Sequence, residues 1–568
     1  MQIDRNISLN KRTVLMLLVL VSTLLLAGGF YVWVSAIISI ALIVGLFLCS
    51  DEIGIDLFKK DLVFIGALLI PFAFLLEMPF AVDRGEAVIG FVKYLPLPLF
   101  CLVLRSMEST ERKKLWRMVP LAGTAMTVLS VLLTFSSFRE YLLVNGRLAG
   151  FFQYPNTYAA YLLCGILCIL CDVKDHHFSI LYISQFFILV AGIILSGSRT
   201  VIVFLLLLAL FMAFRTKSKR KYVLLGTLVA AGILSVGALF LLGKSEQLSR
   251  YLVSPWQSST FLGRLLYWKD AFPVILQHPF GLGYLGYYFL QGSFQTGVYT
   301  TRYIHNELLQ LLLDVGWIPS AVLIYAIASE WKHGNAEKRI MLTVLIGHAL
   351  MDFDFQFLAM DMLLIMALYM GKDKSENAKK RFPLYGCICI SVILCCIAFM
   401  TGFSDVFLQL GSANSSLHCY PLNSEALMAK MAQTDDISEA AAFADKILAI
   451  NDSYAPAYCI KASSAYMSGN GADVIKYQRK AIELSPYDIT QYEVYLSFLT
   501  TLHRLYVQEN MQESAAITKS EILSVPDWLE IVKSRTSSLG WQIADQPNLT
   551  LPEQYLDLIE NIQNEPLG

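Results

Sequence analysis

The chain has 568 residues, of which 56% are hydrophobic and 16% are charged, and its mean hydropathy is +0.55. This composition is far more apolar than that of a soluble protein and excludes the soluble globular class. The formal net charge of −1 gives no indication of binding to a polyanion such as a nucleic acid. The composition therefore predicts an integral membrane protein.

Long apolar runs recur from Thr13 to Thr401, and most can cross roughly 30 Å of hydrocarbon as a helix. The predicted spans are residues 13–28, 31–49, 62–80, 87–104, 117–135, 155–171, 178–195, 200–214, 222–243, 304–328, 340–351, 355–370 and 384–401. We expect an all-α, polytopic bundle of about 12–13 transmembrane helices, because the first two spans are separated only by a short turn. Met1–Arg12 leads straight into the first span without a small-residue cleavage site, so a cleavable signal peptide is not expected.

Lysine and arginine in the short loops predict the orientation of the bundle. Basic residues cluster in alternate loops, such as Lys11 and Arg12 before the first span and the block 215–221 after the eighth. The opposite short loops hold little beyond Arg84, Arg139, Arg147 and Arg199. The N-terminus is therefore expected in the cytoplasm, with the long loop 244–303 outside. The expected organisation is a transmembrane part, 1–402, and an extracytoplasmic helical part, 403–568.

Residues 420–568 are polar and have helical periodicity. Residues 444–458 align with residues 478–492, an offset of 34, and Tyr458 falls on Tyr492. This period is similar to that of tetratricopeptide repeats, in which stacked helix pairs bury faces that neither could bury alone. Two roles remain open at this point: a docking surface for a protein partner, or a cap that steadies the bundle.

The eleven cysteines do not predict a metal site or a disulfide framework. Nine lie in apolar spans, where cysteine acts as a small hydrophobic residue. Only Cys419 and Cys459 lie outside, and whether they pair is left open.

Polar residues that could take part in catalysis or substrate binding lie at the predicted outer side of the bundle. Residues 146–156 open the sixth span and contain Arg147, Tyr154 and Asn156. Arg199 follows Ser196-Gly197-Ser198 between two spans with almost no loop. A cation at that depth is costly unless it faces a polar cavity or a partner.

The long loop adds further candidates. Residues 263–271 are predicted as an amphipathic helix lying on the membrane, with Arg264 exposed. His305 and Asn306 head the next span. A guanidinium group matches phosphate oxygens bidentately, and imidazole is a competent base near neutral pH. Several arginines with one histidine would therefore suit chemistry on a lipid-linked diphosphate.

Each candidate has a simpler explanation. A single arginine near a helix end commonly reaches lipid headgroups, and His305 could simply cap its helix. Residues 281–286 fit a GxGxxG pattern, but no βαβ unit surrounds them, so dinucleotide binding is rejected. Asp352-Phe353-Asp354 fits a DxD metal motif, yet no third ligand is near and no metal is expected. Lys93 is expected within reach of Glu77, in a structural role.

Five segments together resemble the O-antigen ligase/polymerase family, bacterial membrane glycosyltransferases that use undecaprenyl-diphosphate-linked glycans. They are residues 146–162, 194–208, 263–289, 302–322 and 347–355. The resemblance implies functional roles for the arginine after the serine turn, the arginine of the external helix and the histidine heading the next span. These are Arg199, Arg264 and His305, with Arg147 as a further candidate. The resemblance also implies a metal-independent reaction on the outer face without a cofactor.

The expected function is transfer of an undecaprenyl-diphosphate-linked glycan to an acceptor hydroxyl at the outer face of the bacterial cytoplasmic membrane, with inversion at the anomeric carbon. The expected catalytic residues are His305, Arg264 and Arg199, and the expected substrate-binding residues are Arg147, Asn156, Tyr154 and Asn306. The expected partners are the lipid-linked donor, a glycan, lipid or protein acceptor, the bilayer, and a possible protein on residues 420–568.

Several alternatives stay open on the sequence alone. Polymerisation and ligation need the same arginines and the same base. A polysaccharide or lipid transporter and a non-catalytic membrane anchor for the repeats are the other classes considered. The discriminating observation is whether Arg199, Arg264 and His305 converge on one cavity.

Overall fold

The computed structural model describes residues 10–49, 61–175, 179–215, 258–372 and 384–565, with a few positions between 222 and 237. The helices up to Arg215 are α1 (Lys11–Leu25), α2 (Val32–Leu48), α3 (Leu62–Glu77), α4 (Arg84–Tyr94), α5 (Pro96–Ser106), α6 (Ser109–Leu133), α7 (Arg139–Leu142), α8 (Pro155–Asp175), α9 (Ile180–Ser196) and α10 (Arg199–Arg215). Between α7 and α8, strands β1 (Leu143–Val144) and β2 (Arg147–Leu148) form an antiparallel hairpin.

The next group of helices continues the bundle and its connecting segments. It consists of α11 (Ser259–Gln277), α12 (Gly286–Phe294), α13 (Glu307–Val315), α14 (Trp317–His333), α15 (Ala336–Ala349), α16 (Leu358–Leu368) and α17 (Ile388–Gln409). Short 3₁₀ turns at Ala27–Gly29, Gly150–Phe152, Asp354–Gln356 and Leu384–Cys387 connect some of these elements. The predicted span 222–243 and the start of the predicted external loop lie largely outside the described residues.

Apolar length and packing confirm the predicted all-α, multi-pass membrane bundle. Four helical stretches among the described residues are long and apolar enough to cross a membrane: Arg84–Ser106, Ser109–Leu133, Pro155–Asp172 and Ile388–Gln409. Shorter apolar helices surround them, and large apolar side chains such as Leu18, Leu48 and Leu76 point outward. An outward apolar face suits lipid as the surrounding solvent.

The tenth predicted span is wrong in one respect, because residues 304–328 do not form one helix. Gly316 has φ 72°, and a Cβ at this position would lie 2.4 Å from the backbone carbonyl carbon of Phe280. Only glycine fits this left-handed backbone at so close an approach. The chain therefore breaks between α13 and α14, and His305 lies in the irregular segment before α13.

The expected neighbour of Lys93 is also wrong. Although α3 packs against α4, the Lys93 ammonium group donates to the backbone carbonyl of Phe30 and lies 5.1 Å from the centre of its ring. A carbonyl and an aromatic face satisfy the buried cation in place of the Glu77 carboxylate. The structural role expected for Lys93 fits these contacts.

The C-terminal helical region comprises residues 413–565. Its helices are α18 (Ala413–Cys419), α19 (Ser424–Gln433), α20 (Ile437–Ile450), α21 (Ala455–Met467), α22 (Gly471–Leu484), α23 (Ile489–Gln508), α24 (Gln512–Arg535) and α25 (Glu553–Asn564). The start of α20 at Ile437 and of α22 at Gly471 are 34 residues apart, and so are the starts of α21 at Ala455 and α23 at Ile489. The helix boundaries thus follow the offset seen in the sequence, while the tetratricopeptide likeness stays a prediction. Cys419 and Cys459 are unpaired.

Candidate functional site

Asp352, in the loop between α15 and α16, is the centre of the site. It is almost fully buried, and its Oδ1 accepts a hydrogen bond of 2.7 Å from the Tyr154 hydroxyl and lies 2.9 Å from His305 Nδ1. Its Oδ2 accepts from Asn156 Nδ2 at 2.7 Å and from Arg264 Nη2 at 3.3 Å. Four of the residues expected at the site therefore converge on one carboxylate.

Arg147 joins this cluster through the β-hairpin. Asn145 and Gly146 have φ values of 51° and 73°, the type I′ turn that an Asn-Gly pair favours between two short strands. The turn directs Arg147 towards the cluster, where its Nη2 donates to Asn156 Oδ1 at 2.6 Å and its Nε to the carbonyl of Ser196 at 2.7 Å. Arg147 thus links the Asp352 cluster to the end of α9.

Arg199 lies at the start of α10, close in the chain to this contact. Ser196 ends α9, Gly197 turns the chain with φ 64°, and Arg199 is the first residue of α10. Arg199 is half-buried, and the positive end of the α10 dipole lies at the same turn. The structure therefore brings Arg199 next to the segment that Arg147 binds, at the same end of the bundle as Asp352.

His305 is held in place by its neighbours. Its φ is +53°, which is uncommon for a residue with a side chain and is typical of functional sites. The preceding residue, Ile304, accepts from the indole of Trp268 at 2.9 Å and donates to Gln310 Oε1 at 3.0 Å. The imidazole ring packs edge-on against Phe353 with 4.9 Å between ring centres. Trp268 and Gln310 thus hold the backbone next to His305, and Phe353 holds its imidazole ring.

The capping role suggested for His305 belongs to Asn306. Asn306 Oδ1 accepts from the backbone N–H of Leu309 at 3.1 Å and caps the N-terminus of α13. The simpler explanation of His305 as a helix cap is therefore wrong. A contact between Asn306 and substrate stays a proposal.

Arg264 is not the exposed cation that the amphipathic helix predicted. It is 9% exposed, because the face of α11 that carries it packs against the loop after α15. Its Nη1 donates to the carbonyl of Met351 at 2.6 Å, beside the ion pair with Asp352. Arg264 therefore neutralises and holds the central carboxylate.

The ionised carboxylate of Asp352 determines which ring nitrogen of His305 carries a proton towards it. Burial alone would raise the pKa of Asp352, but Arg264 and His305 outweigh it and hold the pKa below its ordinary value. An ionised carboxylate only accepts hydrogen bonds, so His305 Nδ1 carries the proton that it shares with Asp352. The lone pair of a neutral ring is then on Nε2, which makes no hydrogen bond with the described part of the chain. This arrangement suits a general base.

The two carboxylates of the Asp352-Phe353-Asp354 motif, at which no metal was expected, have different partners. Asp354 is fully buried and accepts from Thr157 Oγ1 at 2.7 Å, and it lies 2.5 Å from His348 Nδ1. The two carboxylates thus serve separate histidines. Within the described ranges, no cluster of three or more His, Cys, Asp or Glu residues could hold a metal ion. The sequence did contain one indication of such partners: an acidic pair lies at the end of an apolar helix, where charged groups are costly unless they have partners.

An apolar cleft of about 580 Å³ lies beside the site. It is bounded by α3 and by α13 to α16, and Glu307 and Phe355 line its end near His305. The Phe355 N–H donates to Glu307 Oε1 at 2.8 Å, so these two residues connect the cleft to the loop that carries Asp352. Its other lining residues include Phe74, Ile327, Leu342, Ile346 and Leu364.

The fold and the site define a multi-pass membrane protein with a charged, hydrogen-bonded centre at one end of its helix bundle. Residues 185–324, about a quarter of the chain, match the family model described as O-Antigen ligase. The match confirms the predicted resemblance to the O-antigen ligase family over these residues. It includes Arg199, Arg264 and His305, whereas Asp352 lies outside it. Searches of curated proteins and of solved structures gave no match.

The family assignment supports a role in glycan transfer during the assembly of surface polysaccharide, in a membrane setting and with a lipid-linked donor.

Proposed function

We propose that the protein transfers an undecaprenyl-diphosphate-linked glycan to an acceptor hydroxyl at the outer face of the bacterial cytoplasmic membrane. The convergence of a histidine, an arginine and two neutral donors on buried Asp352 carries this proposal. His305 and Arg264 approach within 3.4 Å of each other. A flexible surface arginine reaching for headgroups would not be held in this way.

In the proposed reaction, His305 Nε2 accepts the proton of the acceptor hydroxyl, whose oxygen attacks the anomeric carbon of the donor sugar. The bond from that carbon to the lipid diphosphate breaks, and direct displacement inverts the anomeric configuration. A positioned base contributes roughly 10²–10⁴-fold to the rate. Asp352 keeps Nδ1 protonated and stabilises the imidazolium that forms, as an orienting carboxylate does in other histidine-based sites.

The leaving diphosphate gains negative charge, and we propose that Arg147 and Arg199 bind it. Arg264, which pairs with Asp352, would be the third guanidinium group of the site. Removing one such stabilising group typically costs about 2.7–4 kcal/mol in the transition state. Fixed arginines can supply this charge, so the proposed mechanism is metal-independent. Tyr154, Asn156 and Asn306 would contact the glycan or the diphosphate.

The apolar cleft supports a polyprenyl donor. Most of its lining side chains are apolar, although Asp314 and Asp361 also line it, and its end at Glu307 and Phe355 adjoins the His305 site. A lipid tail in this cleft would exchange bilayer contacts for similar apolar contacts while its diphosphate reaches the arginines.

Polymerisation and ligation share this chemistry and differ in the acceptor. The lipid-linked intermediates that accumulate without the protein distinguish the two reactions. Removing the gene from its host and analysing lipid-linked glycans separates the two. A lost ligase leaves long chains on the lipid carrier, and a lost polymerase leaves single repeat units. Unchanged pools and unchanged surface glycan would overturn the proposed function.

The other two classes, a transporter and a non-catalytic anchor, need no general base. His305→Ala tests both, because each would keep its function without an imidazole at position 305.

We expect the N-terminus in the cytoplasm, with the site and the C-terminal helical region outside, since the basic loops follow the positive-inside rule. In a cysteine-less background, a membrane-impermeant thiol reagent should label Ser534→Cys in intact cells. Both this position and Lys332 are solvent-exposed in the structure. Lys332→Cys is the matched control and should be labelled only after the cells are opened. The reverse pattern would contradict the proposed orientation.

Arg199→Lys should lower glycan transfer by about 10²-fold, because an ammonium group cannot reproduce the planar fork of guanidinium on a diphosphate. The measurement is the transfer rate in membranes at equal protein level. Arg139→Lys is the matched control, since Arg139 is an exposed arginine on the same predicted side. Full activity of Arg199→Lys would show that a point charge at this position is sufficient.

A further inference from the structure

The C-terminal helical region packs against the helix that carries Arg264. The Ala544 N–H donates to Ser259 Oγ at 2.9 Å, and Ile543 packs in one apolar cluster with Leu266. Ser259 and Leu266 lie on either side of Arg264 in α11. The region therefore contacts α11 both before and after its site arginine.

A second contact holds the segment that leads to His305. Ser537 donates to the carbonyl of Thr296 from its backbone N–H at 2.9 Å. A Cβ on Gly297 would come within 2.7 Å of Gly540 Cα, so the two backbones touch. Thr296 also donates to Asp270 of α11, from its N–H at 2.8 Å and from its hydroxyl at 2.7 Å. Residues 296–297 are thus fixed between α11 and the C-terminal helical region.

The third contact lies three residues before the proposed base. Arg302 Nη2 pairs with Glu425 Oε1 at 2.8 Å. Three residues span at most about 11 Å of extended chain, so movement at Arg302 is transmitted over a short distance to His305. The chain between them is irregular and gains no support from an intrahelical hydrogen-bond ladder.

Glu425 is itself anchored to the bundle through the residue before it. Ser424 Oγ donates to Asp83 Oδ1 at 2.8 Å, and Asn451 Nδ2 donates to Asp83 Oδ2 at 2.9 Å. Asp83 is fully buried at the start of α4, and the Tyr420 hydroxyl donates to the carbonyl of nearby Gly85 at 2.9 Å. The C-terminal helical region is therefore attached to the start of α4 as well as to α11 and to the segment that leads to His305.

We infer that the C-terminal helical region positions residues 296–305, with the Arg302–Glu425 pair setting where His305 meets Asp352. Both side chains are partly exposed, at 44% and 35%, and such a pair contributes little to overall stability. Its effect is geometric, because misplacing a catalytic group by about 1 Å can cost about 10²-fold in rate. Arg302 and Glu425 are positioning residues, and the effect on rate rests on the proposed function.

The test compares Glu425→Arg, Arg302→Glu and the double charge swap in full-length protein in lipid nanodiscs. Hydrogen exchange of peptides covering residues 296–306 reports the segment directly. Glycan transfer with the host's own lipid-linked glycan gives kcat and KM. Glu530→Arg is the matched control, because Glu530 is 73% exposed and pairs only with Lys533 among the described residues.

Each single variant should speed exchange of this segment by about 10-fold and lower kcat by roughly 10- to 100-fold. The KM for the donor should stay within about 2-fold, because the proposed diphosphate arginines keep their places. The charge swap should restore both quantities, and Glu530→Arg should change neither.

Unchanged exchange in both single variants would overturn the inference, and so would faster exchange with undiminished transfer. A failure of the proposed function looks different. The unaltered chain would then transfer no glycan, while the single variants would speed hydrogen exchange of residues 296–306 and the charge swap would restore it. That result would support the positioning of this segment by the C-terminal helical region and would contradict only the proposed transfer reaction.

Discussion

His305→Ala is expected to lower glycan transfer by about 10²–10⁴-fold, since the variant removes the base that accepts the acceptor proton. The protein should fold normally, because His305 lies in an irregular segment with its ring 22% exposed and its neighbours fixed by Trp268 and Gln310. The measurement is transfer in membranes at equal protein level, together with the thermal stability of the purified variant.

The matched control for this variant is His278→Ala. His278 follows the C-terminus of α11, 14 residues after Arg264 in the chain, which corresponds to about 21 Å along a helix. Loss of this histidine should leave transfer unchanged. Normal transfer by His305→Ala would remove the base from the mechanism and return the transporter and anchor classes to consideration.

Asp352→Asn should be at least as damaging as the loss of His305. The amide no longer holds His305 Nδ1–H by an ionic hydrogen bond, and a comparable carboxylate-to-amide change beside a catalytic histidine costs about 10⁴-fold in kcat. It also leaves the buried charge of Arg264 without its partner, which typically destabilises a protein by roughly 3–5 kcal/mol. The expected result is very low transfer with a lower unfolding temperature.

Two further variants separate catalysis from stability. Asp352→Glu keeps the charge beside Arg264, so it should recover most of the stability while transfer stays low, because the longer side chain moves the carboxylate. The double variant His305→Ala/Asp352→Asn should lose no more transfer than the worse single variant, since the two residues act as one unit. Fully additive losses would show that Asp352 does not act through His305.

The charged residues of the site could be predicted from the sequence, because charges at the ends of apolar helices need partners. Arg147, Tyr154, Asn156, Arg264 and His305 were all expected there, and the structure joins them. Asp352 was missed as their centre, because Tyr154 lies 198 residues from it in the chain. No local pattern encodes contacts between segments so far apart.

Two features of the fold, the break at Gly316 and the attachment of the C-terminal helical region, could not be predicted from local sequence patterns. The apolar run continues through Gly316, and a single glycine is compatible with a helix until its backbone conformation is known. The attachment of the C-terminal helical region depends on pairs such as Asp83 and Asn451, which are 368 residues apart. By contrast, the 34-residue offset is a local pattern, and it recurs between the starts of α20 and α22 and between the starts of α21 and α23.

Release of undecaprenyl diphosphate tests the central claim most directly. The purified full-length chain in nanodiscs is given lipid-linked glycan extracted from its host, and both the transferred glycan and the freed lipid diphosphate are quantified. We predict one molecule of undecaprenyl diphosphate for each glycan transferred by the unaltered chain, and almost none with His305→Ala. Glycan movement without release of the lipid diphosphate, or equal release by the two proteins, would contradict a transfer reaction at this site.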